Sequence, residues 1–393
     1  MPRRSLQTAC LCLALGALLA GCGDDDEGLA IRPSTVAYPH DGVLRLNQVQ
    51  VVGTHNSYHV QPRPALLQVY LNLFGDAADA WQYTHPPLDQ QFESDAVRQI
   101  ELDVWADPHG GLFANRIGLK LIHQPTASGI PQLSQPGFKV LHIQDIDFES
   151  NCGTFVECLE TVKSWSDAHP GHMPIMILVE AKDDPLPFGI AGAAVPIPID
   201  SQQFDALDAE IRSVFPADKI ITPDEVRGTH ATLEHAVLTD GWPTLGRTRG
   251  RVLFTLDNAG KRDLYIAGHP SLTGRVLFTN AEPGDPDAAF VEDNDAVGDH
   301  DRIQHLVATG YVVRTRTDSD TVEARANDTT ARDAALSSGA QWISTDYPVP
   351  DPQVGTDYRV TIPGGMPARC NPINAPSSCL PLDIENPAHL RSR

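Results

Sequence analysis

The hydrophobic pattern of the chain alternates between short β-branched runs and longer amphipathic stretches. Eight runs have the length and composition of strands: Val49–Thr54, Ile100–Trp105, Val140–Ile143, Ile175–Val179, Val252–Leu256, Val276–Thr279, Tyr311–Thr315 and Trp342–Thr345. Five stretches between them have helical periodicity: Leu88–Arg98, Phe155–Ala168, Ser201–Val214, Asp299–Ala308 and Thr330–Ser338. Strands that alternate with helices over residues 43–350 predict an α/β fold, a regular or distorted TIM-type (β/α)8 barrel with long βα loops.

The first 42 residues have a different character. Two arginines near the start precede an apolar run that ends in Leu-Ala-Gly followed by Cys22. This pattern is typical of a lipoprotein signal peptide over residues 1–21, with Cys22 as the lipidated residue. The apolar run is shorter than the roughly 20 residues of a membrane span. We therefore expect an exported bacterial lipoprotein with a flexible tether over residues 22–42, anchored to a membrane in the periplasm or at the cell surface; the alternative is an uncleaved anchor.

Four cysteines remain when that segment is removed and Cys22 carries lipid. They are Cys152, Cys158, Cys370 and Cys379. An even number in an exported protein indicates disulfides, of which three pairings are possible. Pairing neighbours in sequence, Cys152 with Cys158 and Cys370 with Cys379, closes two short loops and is favoured. A zinc site is the alternative, but it lacks a CxxC motif and a nearby histidine. Residues 351–393 are Pro-rich, and we expect an irregular tail pinned by a disulfide.

The chain is acidic, with a formal net charge of −22 at pH 7. Such a surface repels nucleic acid and anionic membranes at long range. We therefore expect no nucleic-acid partner. An anionic substrate would need a cation close to its binding site.

Polar residues follow the ends of most predicted strands, and the carboxyl ends of barrel strands form the active-site rim. These residues are His55, Asn56, Glu101, Asp103, His142, Glu180, Asp257, Arg314, Arg316 and Asp346. Glu101 and Asp103 are two positions apart, so on a strand they share one face. Together with Glu180 they form a carboxylate cluster that requires protons or a cation, and Asn56 adds a neutral oxygen. Oxygen ligands favour calcium or magnesium. The alternative is that Glu101 and Asp103 pair with Arg or Lys on the barrel floor.

Two histidines are candidates for proton transfer. Cleaving a phosphodiester requires one group that assists the nucleophile and another that protonates the leaving oxygen. His55 and His142 could flank a bound phosphate in these two roles. His123 is the rival for the second role, whereas His59 and His109 are expected to be ordinary loop residues.

Five segments, in order along the chain, carry a family resemblance: VVGTHNSYH, RQIELDVWAD, FKVLHIQDID, PIMILVEAK and GAQWISTDYP. They resemble the phosphatidylinositol-specific phospholipase C superfamily, and in particular its bacterial calcium-dependent branch, over about Val49–Pro348. The resemblance implies a TIM-type barrel that holds one calcium ion. The implied calcium ligands are Asn56, Glu101, Asp103 and Glu180. His55 is implied as the first catalytic histidine and His142 as the general acid.

The basic residues in these segments are candidates for substrate binding. Lys182, Arg314 and Arg316 occupy suitable places, although Arg316 has the alternative of pairing with Asp318 or Asp320. The gap between Asp103 and His142 is longer than in the eukaryotic enzymes, so the assignment of His142 rests on the FKVLH segment.

The activity that the resemblance implies is cleavage of phosphatidylinositol, or a related inositol phosphodiester, to diacylglycerol and a (cyclic) inositol phosphate. The inositol 2-hydroxyl would attack phosphorus. Two alternatives remain. One is a glycerophosphodiester phosphodiesterase, whose first strand typically ends His-Arg-Gly where this chain has His55-Asn56-Ser57. The other is a non-catalytic surface lipoprotein that binds inositol lipids. We expect a phospholipid or glycerophosphodiester substrate, a membrane surface reached through the lipid anchor, and a monomer.

Overall fold

The computed structural model describes residues 38–186 and 189–390. The predicted signal peptide, the lipidation site Cys22 and the tether up to residue 37 lie outside the described residues. Among the helices of the described part, none has the length and apolarity needed to cross a membrane.

The described chain contains eleven strands and twelve α-helices, numbered here in chain order. The strands are β1 Val49–Thr54, β2 Gln99–Trp105, β3 Lys139–Val140, β4 Ile175–Lys182, β5 Ile220–Ile221, β6 Val252–Leu256, β7 Leu277–Thr279, β8 Phe290–Glu292, β9 Val312–Arg316, β10 Trp342–Thr345 and β11 Ala368–Cys370. The helices are α1 Pro64–Phe74, α2 Leu88–Ser94, α3 Phe155–Ala168, α4 Ser201–Val214, α5 Pro223–Arg227, α6 Leu233–Thr239, α7 Leu245–Thr248, α8 Arg262–Ile266, α9 His300–Thr309, α10 Val322–Ala326, α11 Thr330–Ser338 and α12 Pro381–Ile384.

Eight parallel strands follow one another around a barrel in chain order: β1, β2, β4, β6, β7, β8, β9 and β10, with β10 returning to β1. Two pairs of neighbouring barrel strands share very few backbone pairings in the described chain. Strand β1 meets β2 at a single pair, Gly53 with Gln99, and β7 meets β8 through one bridge between Asn280 and Phe290. The fold is therefore the distorted TIM-type barrel that the sequence predicts.

Alternation along each barrel strand separates an apolar outer face from a polar interior. On β2, Ile100, Leu102 and Val104 belong to the apolar core that the sheet shares with the helices. The intervening residues Glu101 and Asp103 are also buried, but they face the inside of the barrel. The period of two thus delivers charged side chains to the barrel mouth.

The long helices α3 and α4 begin where the sequence supplies a side-chain cap. Thr154 and Asp200 each accept a hydrogen bond from a backbone N–H three residues later. Such caps satisfy amides that have no partner in the first helical turn. The predicted bounds Phe155–Ala168 and Ser201–Val214 are confirmed.

The predicted barrel strand Val140–Ile143 is wrong. The strand in this region, Lys139–Val140, runs antiparallel to the end of β2. Because β1 pairs with β2 only near the start of β2, the later part of that edge is free to accept it. The chain then turns through a hairpin closed by a bridge between Ile143 and Asp147. This hairpin folds beside the barrel mouth instead of contributing a barrel strand.

Strand β8 is the eighth strand of the barrel in place of the predicted Val140–Ile143. It was not predicted, because three residues are too few to show a hydrophobic period. Six other predicted elements differ at one or both ends. The strands predicted at Ile100–Trp105 and Ile175–Val179 become Gln99–Trp105 and Ile175–Lys182, and the helix predicted at Asp299–Ala308 becomes His300–Thr309. The strand predicted at Val276–Thr279 begins at Leu277, the strand predicted at Tyr311–Thr315 becomes Val312–Arg316, and the helix predicted at Leu88–Arg98 ends at Ser94. Ala96 adopts a left-handed conformation (φ 58°), which ends that helix.

The two disulfides pair as favoured, Cys152 with Cys158 and Cys370 with Cys379. The C-terminal segment is more regular than expected, because β11 pairs antiparallel with the first half of β1. Further along, Glu385 is fully buried and accepts hydrogen bonds from Arg98 Nε, at 2.9 and 3.0 Å, and from the Met173 amide at 3.0 Å. Burial alone would raise the pKa of Glu385, but Arg98 holds it below its ordinary value.

We expect Glu385→Ala to lower the free energy of unfolding by about 3–5 kcal/mol, because it leaves the buried Arg98 without its partner. Urea unfolding at pH 7 measures this, with Glu160→Ala as the control at an exposed position. The folded-state pKa of Glu385 is lowered, so the stabilisation is present above the ordinary carboxyl pKa and is lost as pH falls through the lower value. Equal stability of the two variants would contradict this role.

Candidate active site

A cluster of carboxylates lies at the carboxyl ends of β2 and β4. The strand register places Asp103 beside Glu180, and Glu101 lies two residues earlier on the same face. One oxygen from each of the three lies within 4.8 Å of the others. Both oxygens of Asp103 are buried without a hydrogen-bond partner in the described chain. Burial and the nearby Glu180 raise the pKa of Asp103 well above its ordinary value. A set of unpartnered oxygens fits a hard divalent cation such as calcium.

Two basic residues contact the same cluster, so pairing with Lys and Arg occurs at the mouth and not on the barrel floor. Lys182 Nζ lies 3.0 Å from Glu180 Oε1 and 3.5 Å from Asp103 Oδ2. On the other side, Arg314 Nη2 donates to Glu101 Oε2 at 2.6 Å. Even beside Arg314, burial raises the pKa of Glu101 to about 7. The basic residues therefore only partly offset the negative charge.

Further carboxylates surround this cluster. Glu292 on β8 accepts a hydrogen bond from Arg314 Nη1 at 2.8 Å, and its other oxygen is buried without a partner in the described chain. Asp257 follows β6, and burial together with Glu292 raises its pKa to about 9. Glu292 was not predicted as a site residue, because β8 is too short to be recognised in the sequence. The carboxylates at the mouth therefore carry enough negative charge to be offset by a divalent cation.

Asn56 sits at the end of β1 in a left-handed conformation (φ 43°), which asparagine tolerates better than most residues. Its Oδ1 accepts a hydrogen bond from the Tyr58 hydroxyl at 3.3 Å, and its Nδ2 donates to the Tyr83 hydroxyl at 3.2 Å. Burial and the charge of Asp103 raise the pKa of Tyr58 well above its ordinary value. The Tyr58 hydroxyl therefore lies close to both Asn56 and the carboxylate cluster.

The protonation state of His55 follows from its two partners. Its Nδ1 lies 2.8 Å from Asp346 Oδ1, and its Nε2 lies 3.3 Å from Arg316 Nη1. Because a guanidinium can only donate, Nε2 must accept, and the proton is on Nδ1. Burial and Arg316 lower the pKa of His55 well below its ordinary value. His55 is thus a neutral base whose Nε2 lone pair lies 3.6 Å from Glu101 Oε1.

His142 lies on the hairpin after β3. Its Nδ1 is 2.8 Å from Asp147 Oδ2, and its side chain is 23% exposed. The rival His123 is exposed at the end of a 3-10 helix, Ile117–Ile122. Of the two, His142 is the one paired with a buried carboxylate.

His59 is not the ordinary loop residue that we expected. It is fully buried, and its Nε2 lies 2.8 Å from the same Asp147 oxygen that contacts His142. Its Nδ1 donates to the Tyr83 carbonyl oxygen at 3.0 Å. The HNSYH and HIQDID segments contain these residues, but their spacing gave no sign that the two side chains meet.

The remaining candidate substrate-binding residues differ in exposure. Arg314 is only 2% exposed and is occupied by Glu101, Glu292 and Asn294. Arg316 is 18% exposed and lies 3.4 Å from Asp346 Oδ2, its pairing partner in place of the suggested Asp318 or Asp320. Lys182 is equally exposed. Lys182 and Arg316 are therefore the two that a ligand in the mouth can reach.

The mouth of the barrel combines a carboxylate cluster with two His–Asp pairs, an arrangement that can bind a divalent ion and transfer protons. A family model described as phosphoinositide phospholipase C, Ca2+-dependent, matches residues 44–372. The chain therefore belongs to this family and is an enzyme that cleaves phosphoric diesters. The family resemblance seen in the sequence is confirmed.

The chain is also similar to solved structures. A calcium-dependent phosphoinositol-specific phospholipase C from a Gram-negative bacterium, Pseudomonas sp., is similar with a TM-score of 0.51 and 18% identity, over 84% of this chain and 97% of that chain. A Ca2+-dependent phosphatidylinositol-specific phospholipase C from Streptomyces antibioticus has a TM-score of 0.45 and 20% identity, over 79% and 96% of the two chains. No curated protein sequence matches the chain. The Pseudomonas likeness supports the barrel assignment.

We expect Asp346→Asn to lower kcat for phosphodiester cleavage by roughly 10²–10⁴-fold, the contribution of a general acid–base group. The neutral amide removes the negative charge that would stabilise His55 once it takes up a proton. Steady-state kinetics at saturating calcium measures the change, with Asp351→Asn on the following loop as the control. A loss of less than about threefold would place Asp346 outside the proton-transfer machinery.

Proposed function

We propose that the protein cleaves phosphatidylinositol, or a related inositol phosphodiester, to diacylglycerol and a (cyclic) inositol phosphate in a calcium-dependent reaction. The observation that carries this proposal is the juxtaposition of two His–Asp pairs with a cluster of buried carboxylate oxygens. Each pair can hold its histidine in one tautomer, and the cluster supplies the hard oxygen ligands that calcium prefers.

Asn56, Glu101, Asp103 and Glu180 are the proposed ligands of one calcium ion. When bound, the ion lowers the pKa of the attacking hydroxyl and offsets the charge of the phosphate. With the ion bound, Lys182 would move away from Asp103 Oδ2 and would be available to the phosphate of the substrate. Asp103 Oδ1, which is buried without a hydrogen-bond partner in the described chain, supports this assignment.

The proposed reaction is an internal phosphoryl transfer. The inositol 2-hydroxyl oxygen forms a bond to phosphorus while the bond from phosphorus to the glycerol oxygen breaks. His55 Nε2 accepts the proton of the attacking hydroxyl, and Asp346 stabilises the resulting imidazolium. Arg316, beside His55, stabilises charge on the phosphate oxygens.

The leaving oxygen needs a proton of its own. Asp147 binds Nδ1 of His142, so the other ring nitrogen is the one that gives its proton to the departing diacylglycerol. Water can open the cyclic product by the same groups in reversed roles. His142 then accepts a proton from water, and His55 returns its proton to the 2-hydroxyl oxygen.

An apolar cleft beside the His142 hairpin supports a lipid as substrate. The cleft has a volume of about 580 Å³, and its lining includes Tyr70, Leu73, Phe74, Ile117, Leu121 and Ile146. Leu73 is 60% exposed and Leu121 is 47% exposed. Ile146 directly precedes Asp147, which contacts the proposed general acid His142, so the cleft lies close to that histidine. A membrane-anchored, exported lipoprotein, as proposed from Cys22, would meet such a substrate at a membrane surface.

Product analysis tests the proposal. Purified protein is given phosphatidylinositol vesicles or glycerophosphocholine, with and without calcium. We expect cyclic inositol phosphate from phosphatidylinositol only when calcium is present. Glycerol phosphate from glycerophosphocholine would instead identify a glycerophosphodiester phosphodiesterase, and lipid binding without turnover would identify a non-catalytic binder.

Two variants assign roles in the same assay. Asp103→Asn is expected to raise the calcium concentration needed for half-maximal activity by at least about tenfold, because ligand charge sets calcium affinity. His142→Ala is expected to lower turnover by about 10²–10⁴-fold with calcium binding unchanged. His123→Ala is the matched control at an exposed histidine. Loss of calcium binding in His142→Ala would move that residue among the ligands.

We expect Leu121→Asp to lower activity on phosphatidylinositol vesicles by about tenfold or more, since burying a leucine side chain is worth about 1.5–3 kcal/mol. Activity on a soluble inositol phosphodiester should stay unchanged, because the cleft lies outside the catalytic groups. Leu264→Asp, at a leucine that is 43% exposed on α8, is the matched control. Equal activity of both variants on vesicles would remove the cleft from the lipid-binding surface.

A further inference from the structure

A second group of metal-ligating atoms lies apart from the carboxylate cluster. His59 Nε2, His142 Nδ1 and a carboxylate oxygen of Asp147 lie within 4.8 Å of one another. Both ring nitrogens are 2.8 Å from the same oxygen, Asp147 Oδ2. The proposed calcium site offers only oxygen, whereas this group offers two imidazoles and one carboxylate.

The hydrogen bonds of His59 require a cation at this point. The Tyr83 carbonyl can only accept, so His59 Nδ1 must carry a proton. Its Nε2 faces a carboxylate, which also can only accept. A neutral His59 would therefore direct a lone pair at a negative oxygen. Either a second proton on His59 or a metal ion between Nε2 and Asp147 removes this conflict.

Asp147 has unused ligand capacity. It is fully buried, and its Oδ1 has no hydrogen-bond partner in the described chain. A bound ion would satisfy the second oxygen of Asp147 as well as the first.

We propose that His59, His142 and Asp147 form a binding site for one transition-metal ion of the Zn2+ type, separate from the calcium site. Imidazole nitrogen suits zinc and disfavours calcium, so ligand chemistry keeps the two ions apart. Tetrahedral zinc with bonds of about 2.0–2.1 Å separates its ligand atoms by about 3.3 Å. On metal binding, the present 2.8 Å separations would widen by about half an ångström.

The surroundings supply the outer support that a zinc site requires. Metal-bound histidines usually donate their other N–H to a carbonyl or carboxylate, which fixes the ring. His59 does so to Tyr83. The partial exposure of His142 leaves the ion open to solvent on one side, where water or a phosphate oxygen can complete the coordination.

Occupation of this site has a consequence for activity that rests on the proposed function. The ion fixes His142 through Nδ1 and makes it part of a cationic complex, so His142 no longer exchanges protons freely with the leaving group. Zinc is thus expected to inhibit cleavage without displacing calcium. The binding site itself does not depend on this consequence.

Zinc binding is tested directly, on the full chain purified without a histidine tag. Isothermal titration with Zn2+ is done in saturating calcium and without substrate, and Co2+ provides visible absorption bands as a second readout. The variants are His142→Gln, His59→Gln and Asp103→Asn. A fourth, His230→Gln, removes the surface pair in which His230 Nδ1 lies 3.0 Å from His235 Nδ1.

We expect one zinc ion per chain, and a loss of affinity of at least about 100-fold in His142→Gln and His59→Gln, since losing even an outer partner costs about 10–100-fold. Asp103→Asn and His230→Gln should change the affinity less than twofold. His59 is buried, so the partly exposed His142 decides the outcome if His59→Gln fails to fold. Unchanged zinc affinity in His142→Gln, or loss of binding in His230→Gln alone, would overturn the proposal. Because no substrate is present, either result stands whether or not the proposed reaction is correct.

Discussion

The burial of Glu101 and Asp103 inside the barrel is the constraint on which the rest of the mouth depends. Two carboxylates on one strand face a low-dielectric interior that already contains Glu180, and their mutual repulsion must be offset. Arg314 and Lys182 offset part of it by contacting three of the six carboxylate oxygens. Asp103 Oδ1, which they leave buried without a hydrogen-bond partner in the described chain, is the reason for expecting a bound cation. The chemistry proposed for the site follows from that cation.

The distorted barrel places the proposed acid–base residues beside the carboxylate cluster. Parallel strands end on the same side, so His55 after β1, Asp346 after β10 and Arg316 on β9 arrive at one rim although they are far apart in sequence. The weak joint between β1 and β2 has a second effect. It leaves an edge of β2 free for β3, and the hairpin that follows carries His142 and Asp147 to the mouth. Irregularity of the barrel thus supplies half of the proposed acid–base machinery.

Much of the fold could be predicted from the sequence, because long apolar runs and caps are local signals. The seven true barrel strands among the eight predicted, and the same-face placement of Glu101 and Asp103, required only periodicity. Strand β8 was too short to recognise, so Glu292 was missed with it. The environment of His142 was predicted wrongly because the strand before it, β3, pairs antiparallel with the end of β2. That edge of β2 is open only because β1 pairs with β2 at a single position. The shared contact of His59 and His142 with Asp147 is a tertiary contact, and no spacing rule reports it.

The central claim is that the carboxylate cluster of Glu101, Asp103 and Glu180, together with Asn56, binds calcium. A crystal structure of the protein grown with calcium tests it most directly, through the position and coordination of the ion. The account predicts one calcium ion bound by Asn56, Glu101, Asp103 and Glu180, with Lys182 moved away from Asp103. An ion bound elsewhere, or the Lys182 contacts unchanged at saturating calcium, would contradict it.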